Sequence, residues 1–233
     1  MDGEEAVRKS TAPYGRESSE FDRAIGFVDA TFALALTLLV TGIDISGHAA
    51  SVWSRIGSLT DDVGYQFIAF AISFAVIASY WLEHHRLIAR FAAIDVPVIV
   101  ANLGLIAAVV LLPFSTKSVG DPNVVGLPLP VAVLAANVAA VSALLTLVYV
   151  MALRRGLLAS RPDRSEAVEQ VAGGLAPALV FLISIPIAYL VSPKAAQLTW
   201  IALLVINPTI GRIVRGRARR RAASPGREAD EAS

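Results

Sequence analysis

The sequence predicts an all-α integral membrane protein with six transmembrane helices per subunit and both termini on the cytoplasmic side. Three observations carry that prediction. Hydrophobic residues make up 55% of the 233 and charged residues 17%, where a soluble domain is about a quarter charged. The charges cluster between apolar runs, and six of those runs reach the length that a helix needs to cross a bilayer core. Lysine and arginine then fall almost entirely on alternate connections.

Taken in order, residues 1–20 are polar and mixed in charge, without the apolar core of a signal peptide, and read as a disordered cytoplasmic tail. The first span covers 23–43. The second covers 63–82, its helix continuing to 90. The third covers 96–114, the fourth 129–153, the fifth 168–191 and the sixth 195–214, so that 21–215 form one channel-sized membrane domain. Prolines 113, 177, 186 and 208 fall inside or at the ends of these runs, where neighbouring helices can satisfy the freed carbonyls. Residues 216–233 read as a second disordered tail, and its cluster from Arg217 to Arg221 suits anionic lipid.

The amino end holds Arg8, Lys9, Arg16 and Arg23; the second connection Arg86 and Arg90; the fourth Arg154, Arg155, Arg161 and Arg164; the carboxyl end seven more arginines. Seventeen of the 20 basic residues thus lie on one side, against Arg55, Lys117 and Lys194 on the other. Continuous apolar runs exclude a strand-built barrel, which alternates with period two. The absence of cysteine excludes disulfides and thiolate chemistry. A net charge of +1 gives no bulk reason to expect nucleic acid as a partner. No phosphate loop or nucleophile elbow is present, and nothing points to an enzyme.

The first span contains the most informative residues. Wound at about 100° per residue, Phe27, Leu34, Leu38, Thr41 and Ile45 share a stripe, with Asp29, Ala33, Leu36 and Thr37 on a neighbouring one. Two readings of the stripe stand side by side: burial against another helix, or a pore lined by apolar rings that expel water where they narrow. Asp29 lies roughly 9 Å of helix rise beyond Arg23, inside the span, where an ionisable side chain faces a bundle interior or a wet cavity and takes a partner. A local ion pair with Arg23 is one such arrangement. At similar depth lie Trp81, His84 and His85 at the exit of the second helix, and Asn102 in the third. An inter-helix network of these groups would satisfy each of them. His84 and His85, being adjacent, point about 100° apart and make a poor metal pair. A proton relay through Asp29 and His85 is the competing chemistry, since imidazole titrates near neutral pH.

Arg23, Phe27-Val28-Asp29 and the following "ATFALALTLLV", with "WLEHHR" in the second helix and "N…LLPFST" in the third, resemble the signature of the transmembrane-protein-175 potassium channel family, in its bacterial branch. The resemblance covers 23–116 and implies a homotetramer whose first helices line a central pore for potassium, without a re-entrant filter loop. It implies constrictions at Leu34, Leu38 and Thr41 with Thr37 beside them, a motif of Arg23, Phe27 and Asp29, and a supporting network of Trp81, His85 and Asn102. It further implies a bacterial inner-membrane location, and no cofactor besides the permeant ion. Val28 stands at the motif's serine, and Thr41 where many relatives carry leucine or isoleucine. The motif occurs once, so closing a pore takes several subunits.

Overall fold

The computed structural model describes residues 12–43, 56–121, 123–124 and 126–200. Five long helices dominate: α1 Ser19–Leu38, α2 Ile56–Ile88, α3 Val96–Gly120, α4 Pro128–Arg155 and α5 Arg164–Leu190. A 3-10 turn, Leu39–Gly42, extends α1, and helical backbone resumes over 193–200. Two short strands, β1 Tyr14–Gly15 and β2 Ala93–Ile94, pair antiparallel with Tyr14 opposite Ile94.

Local chemistry explains the boundaries. The Ser18 hydroxyl caps α1 by accepting from the Phe21 amide at 3.2 Å. Asp95 caps α3 by accepting from the Val98 amide at 3.1 Å, and Asp163 caps α5 by accepting from the Glu166 amide at 2.8 Å. Pro128 occupies the first turn of α4, where its missing N–H costs nothing. Gly156 ends that helix with φ +68°, a left-handed conformation in which other residues are strained.

Among the described residues, four helical stretches are long and apolar enough to cross a membrane: Ser19–Gly42, Val96–Gly120, Pro128–Arg155 and Arg164–Leu190. α2 has 33 residues, and its stretch 63–80 carries no Asp, Glu, Lys or Arg. The sixth span is described only to residue 200, and the tail with Arg217 to Arg221 lies outside the described residues.

One core cluster runs between α1 to α4: Val28, Phe32, Ala35 and Leu39 of α1 meet Ile77 of α2, Leu105, Val109 and Leu112 of α3, and Val138 and Val141 of α4. α4 and α5 pack closely where Gly174 faces Thr146: a β-carbon at Gly174 would lie 2.4 Å from the Thr146 hydroxyl oxygen. Gly174 therefore marks a close helix contact, while a β-carbon at Gly173 would meet nothing within 4 Å.

The segment 12–20 departs from the tail expected of it. Polar composition gave no core-forming pattern, yet here the chain is held by backbone pairing and one arginine. The Arg16 amide donates to Ala92 O at 2.9 Å, and its guanidinium to Phe91 O at 2.9 Å and Ile88 O at 3.2 Å. The connection after α2 is joined in turn to the one after α4, through Ala92 N to Leu157 O at 2.8 Å and Ala159 N to Arg90 O at 2.9 Å. Arg155 pairs with the capping Asp95. These three Arg-bearing segments thus meet at one end of the bundle, as the distribution of basic residues requires.

Replacing Arg16 with alanine removes the donors to these carbonyls. The expected cost is about 1–2 kcal/mol, read as a lower midpoint of thermal unfolding in detergent. Arg16→Lys should recover only part of it, because a point ammonium does not span several acceptors as the planar fork does. An unchanged midpoint in Arg16→Ala would show that strand pairing alone holds the segment.

Candidate functional site

The site is built on α1 and the elements that fix its rotation. Val28, Phe32, Ala35 and Leu39 recur at four-three-four spacing and are almost fully buried, at 2%, 1%, 0% and 5% exposure. The neighbouring face is left uncovered among the described residues: Phe27 is 57% exposed, Leu34 54% and Leu38 37%, with Thr37 and Thr41 also exposed. The two sets lie about 100° apart around one helix, so turning the first into the core turns the second away from it.

Polar contacts hold that rotation. The Trp81 indole donates from Nε1 to Asp29 Oδ1 at 3.0 Å, joining α2 to α1. The His85 ring lies against Trp81, centroids 5.5 Å apart. His84, fully buried, bonds through Nε2 to Asn102 Oδ1 at 2.9 Å, joining α2 to α3. The Asn102 amide donates in turn to Val98 O at 2.9 Å. With that amide nitrogen used as donor, its Oδ1 accepts, so His84 carries its proton on Nε2. His84 Nδ1 is buried with no hydrogen-bond partner among the described residues.

Two expectations change. Arg23 does not pair with Asp29: the ion pairs among the described residues are Arg86–Glu83 and Arg155–Asp95. Six residues along an α-helix separate the two side chains by about 120° around the axis and 9 Å along it, too far for contact. Arg23 instead lines an open groove of about 730 Å³ with Tyr14, Glu20, Phe27 and Ile99. The histidine that reaches Asn102 is His84, while His85 remains on the Trp81 face. Adjacent residues cannot share one partner, and α2 is rotated to bring His84 inward. Val28 also has a different part: it packs into the apolar core.

Thr31 and Thr37 of α1 and Thr41 of the 3-10 turn direct their hydroxyl protons onto preceding carbonyls of the same chain segment. Thr31 donates to Phe27 O at 2.8 Å, Thr37 to Leu34 O at 2.8 Å and Thr41 to Leu38 O at 2.7 Å. Elsewhere, Asn137 donates to Ser115 Oγ at 3.1 Å across α4 and α3, the interhelical role expected of an isolated asparagine in a span. Sequence reasoning missed Asp95 and Arg155, although Asp before Val-Pro is a helix-start signal. It had no signal for Arg16.

These features define a multi-pass helical membrane protein, its first helix tied on one side by polar contacts and bare on the other. Residues 23–113 match the family model described as "Endosomal/lysosomal potassium channel TMEM175". In this segment, residues 23–113 of the 233, the chain is similar to that family. It is 32% identical over 105 residues to a potassium channel of Chamaesiphon minutus, covering 45% of this chain and 52% of that protein. It is 27% identical over 105 residues to a potassium channel of Streptomyces collinus, covering 44% and 49%. The matched stretch thus spans about half the length of these relatives. Its fold is similar to the crystal structure of a lysosomal potassium-selective channel TMEM175 homologue from Chamaesiphon minutus, with a TM-score of 0.68, 23% identity, and 82% of this chain and 98% of that chain covered. It is also similar to the potassium channel MtTMEM175, solved as a variant with a nanobody–MBP fusion protein, with a TM-score of 0.62, 20% identity, and 88% and 97% covered.

Trp81→Phe keeps the aromatic ring against His85 and deletes the donor to Asp29. A double-mutant cycle with Asp29→Ala should give a coupling of about 1–2 kcal/mol, read by thermal unfolding in detergent. Additive effects would mean that the hydrogen bond contributes nothing to the fold.

Proposed function

We propose that the chain is one subunit of a homotetrameric potassium-selective, or weakly selective, cation channel of a bacterial inner membrane. It spans the membrane six times with both termini cytoplasmic. The observation that carries the reading is the bare face of α1. Phe27, Leu34, Leu38 and Thr41 form a stripe with no covering element among the described residues, while the rest of the helix is tied by Asp29 and packed into the core. Four such faces around an axis enclose a path lined by Leu34 and Leu38, with Thr37 beside them and Thr41 beyond. Apolar rings of this kind select by forcing partial dehydration of the ion and close by expelling water. The potassium channels of Chamaesiphon minutus and Streptomyces collinus, similar over 105 residues each, support the choice of ion.

In this reading Asp29, Trp81, His84 and Asn102 fix the angle of α1 rather than bind the ion. Arg23, at the mouth of the groove, and the basic tail face the cytoplasmic lipid surface. Potassium is the permeant species, and no other cofactor is needed.

A proton-permeable channel or proton-coupled transporter through Asp29 and His85 is the second reading, since both side chains abut Trp81. Flux into liposomes under a pH gradient separates them: a channel current follows voltage and the potassium gradient, while a coupled transporter saturates with its substrate and needs the proton gradient.

Leu34→Ala should widen the narrowest ring and raise single-channel conductance in planar bilayers. Unchanged conductance and selectivity would remove Leu34 from the constriction. Asp29→Ala should lower the yield of assembled oligomer on size exclusion more than it lowers the current per assembled channel. Intact assemblies carrying much less current would reverse that assignment.

A further inference from the structure

α5 carries a face that neither α4 nor the start of the sixth span covers. Wound at about 100° per residue, Arg164, Val168, Leu175, Leu179 and Leu182 fall within about 60° of one another. Val168 is 59% exposed, Leu179 58% and Leu182 49%. The partners of α5 lie elsewhere around it. Gly174 meets Thr146 of α4, and Trp200 donates from Nε1 to Ser184 Oγ at 2.9 Å with its ring beside Phe181. Gly174, Phe181 and Ser184 stand about 80° to 160° around from Arg164. The acidic residues are turned off the face as well. Glu166 and Glu169 lie about 160° and 140° from Arg164, and the Asp163 carboxylate caps the helix. At the same end, Arg16 is engaged with carbonyls, Arg155 with Asp95, Arg86 with Glu83 and Arg90 with Gln170. Arg161 and Arg164 are exposed, and their side chains make no hydrogen bond or ion pair among the described residues.

We propose that this face binds an anionic phospholipid of the adjacent leaflet, with Arg161 and Arg164 on its phosphodiester and one acyl chain along Val168, Leu175 and Leu179. The two arginines are at most about 10 Å of chain apart, so both guanidinium groups reach one headgroup. Guanidinium donors form paired hydrogen bonds with phosphate oxygens. From Val168 to Leu179 the helix rises roughly 16–17 Å, and one leaflet of a hydrocarbon core is about 15 Å deep. The stripe therefore has the length of one acyl chain, and the charge stands where the headgroup of that chain ends. Charge complementarity favours a lipid over a second copy of this chain, because burying two unanswered cations in a protein contact is costly. The face is separate in sequence from the cluster Arg217 to Arg221. It needs only a membrane-spanning α5 and does not depend on ion conduction.

The chain contains no cysteine, so Leu175→Cys offers a single point for a bimane fluorophore on the stripe. The full chain carrying it is reconstituted in phosphatidylcholine vesicles. Quenching is measured with nitroxide-labelled phosphatidylglycerol and, separately, with nitroxide-labelled phosphatidylcholine, each as a minor fraction of the lipid. Phosphatidylglycerol should be preferred, its relative association constant rising about fivefold for each arginine engaged. Arg161→Gln or Arg164→Gln alone should lower the preference by about that factor, and the double variant should be quenched equally by both lipids. Lys117→Gln, at the other end of the bundle, should leave the preference unchanged. sn-Glycerol 3-phosphate added to the vesicles should not displace the labelled phosphatidylglycerol. Equal quenching by the two lipids with both arginines present overturns the proposal. So does a preference that survives in the double variant, which would assign it to the tail cluster. Quenching by neither lipid means that protein covers the stripe, and the proposal fails. Displacement by glycerol phosphate would show a site for free anions and overturn the lipid assignment. If the double variant does not reconstitute, the single variants decide: an unchanged preference in both overturns the proposal.

Discussion

A carboxylate placed inside an apolar helix must be answered by a donor, and in this protein the answer is the indole of Trp81. That contact does more than neutralise a penalty. Asp29 and Val28 are neighbours, so holding one against α2 turns the other into the core, and Phe32, Ala35 and Leu39 follow it at four-three-four spacing. The rotation of α1 is then no longer free. Its bare face is the remainder left after those residues have been buried. Every functional residue on α1 is defined by this phase: a rotation of about 100° would bury Leu34 and expose core residues. The buried His84–Asn102 pair extends the same constraint to α3, where a half-made polar pair would cost more than an apolar one.

Much of this was legible in the sequence, because membrane helices advertise themselves by length and because charge within them demands explanation. The stripe of Phe27, Leu34, Leu38 and Thr41 follows from helical period alone, as does the common depth of Asp29, Trp81 and Asn102. The choice between His84 and His85 was not legible. Both have the right chemistry and depth, and only the phase of α2, set by packing against two other helices, decides between them. The Arg23–Asp29 pair failed for a simpler reason: depth was weighed without angle. Arg16 was invisible because it acts on main-chain carbonyls of a distant connection, and carbonyls leave no mark in a sequence. The 3-10 turn at Leu39–Gly42 was equally hidden, so the winding that placed Thr41 beside the leucines used the wrong period at that position.

The two ends of the bundle are built differently. At the Arg-rich end, three segments far apart in the chain are laced by backbone hydrogen bonds, by the Arg155–Asp95 pair and by Arg16. The apolar cluster beneath them gathers Phe21, Ile88, Phe91, Ile94, Val148 and Tyr149. Positive charge concentrated there would repel itself in a loose structure. Engaging Arg16 with carbonyls and Arg155 with a buried carboxylate leaves others, including Arg23, at the surface.

Taken together, the anchorage of α1 is uneven along its length. Arg16 and β1 hold its start, and Asp29 holds it near its middle, whereas from Leu34 onward apolar packing keeps it in place. A rod held from its start to its middle pivots at the last tie. From Asp29 to Thr41 the helix measures roughly 18–20 Å, so a tilt of about 5° would carry Thr41 through roughly 1.6 Å and Leu34 through less than half of that. Small rocking of α1 would therefore displace Leu38 and Thr41 first, with Leu34 acting as the still part of the lever.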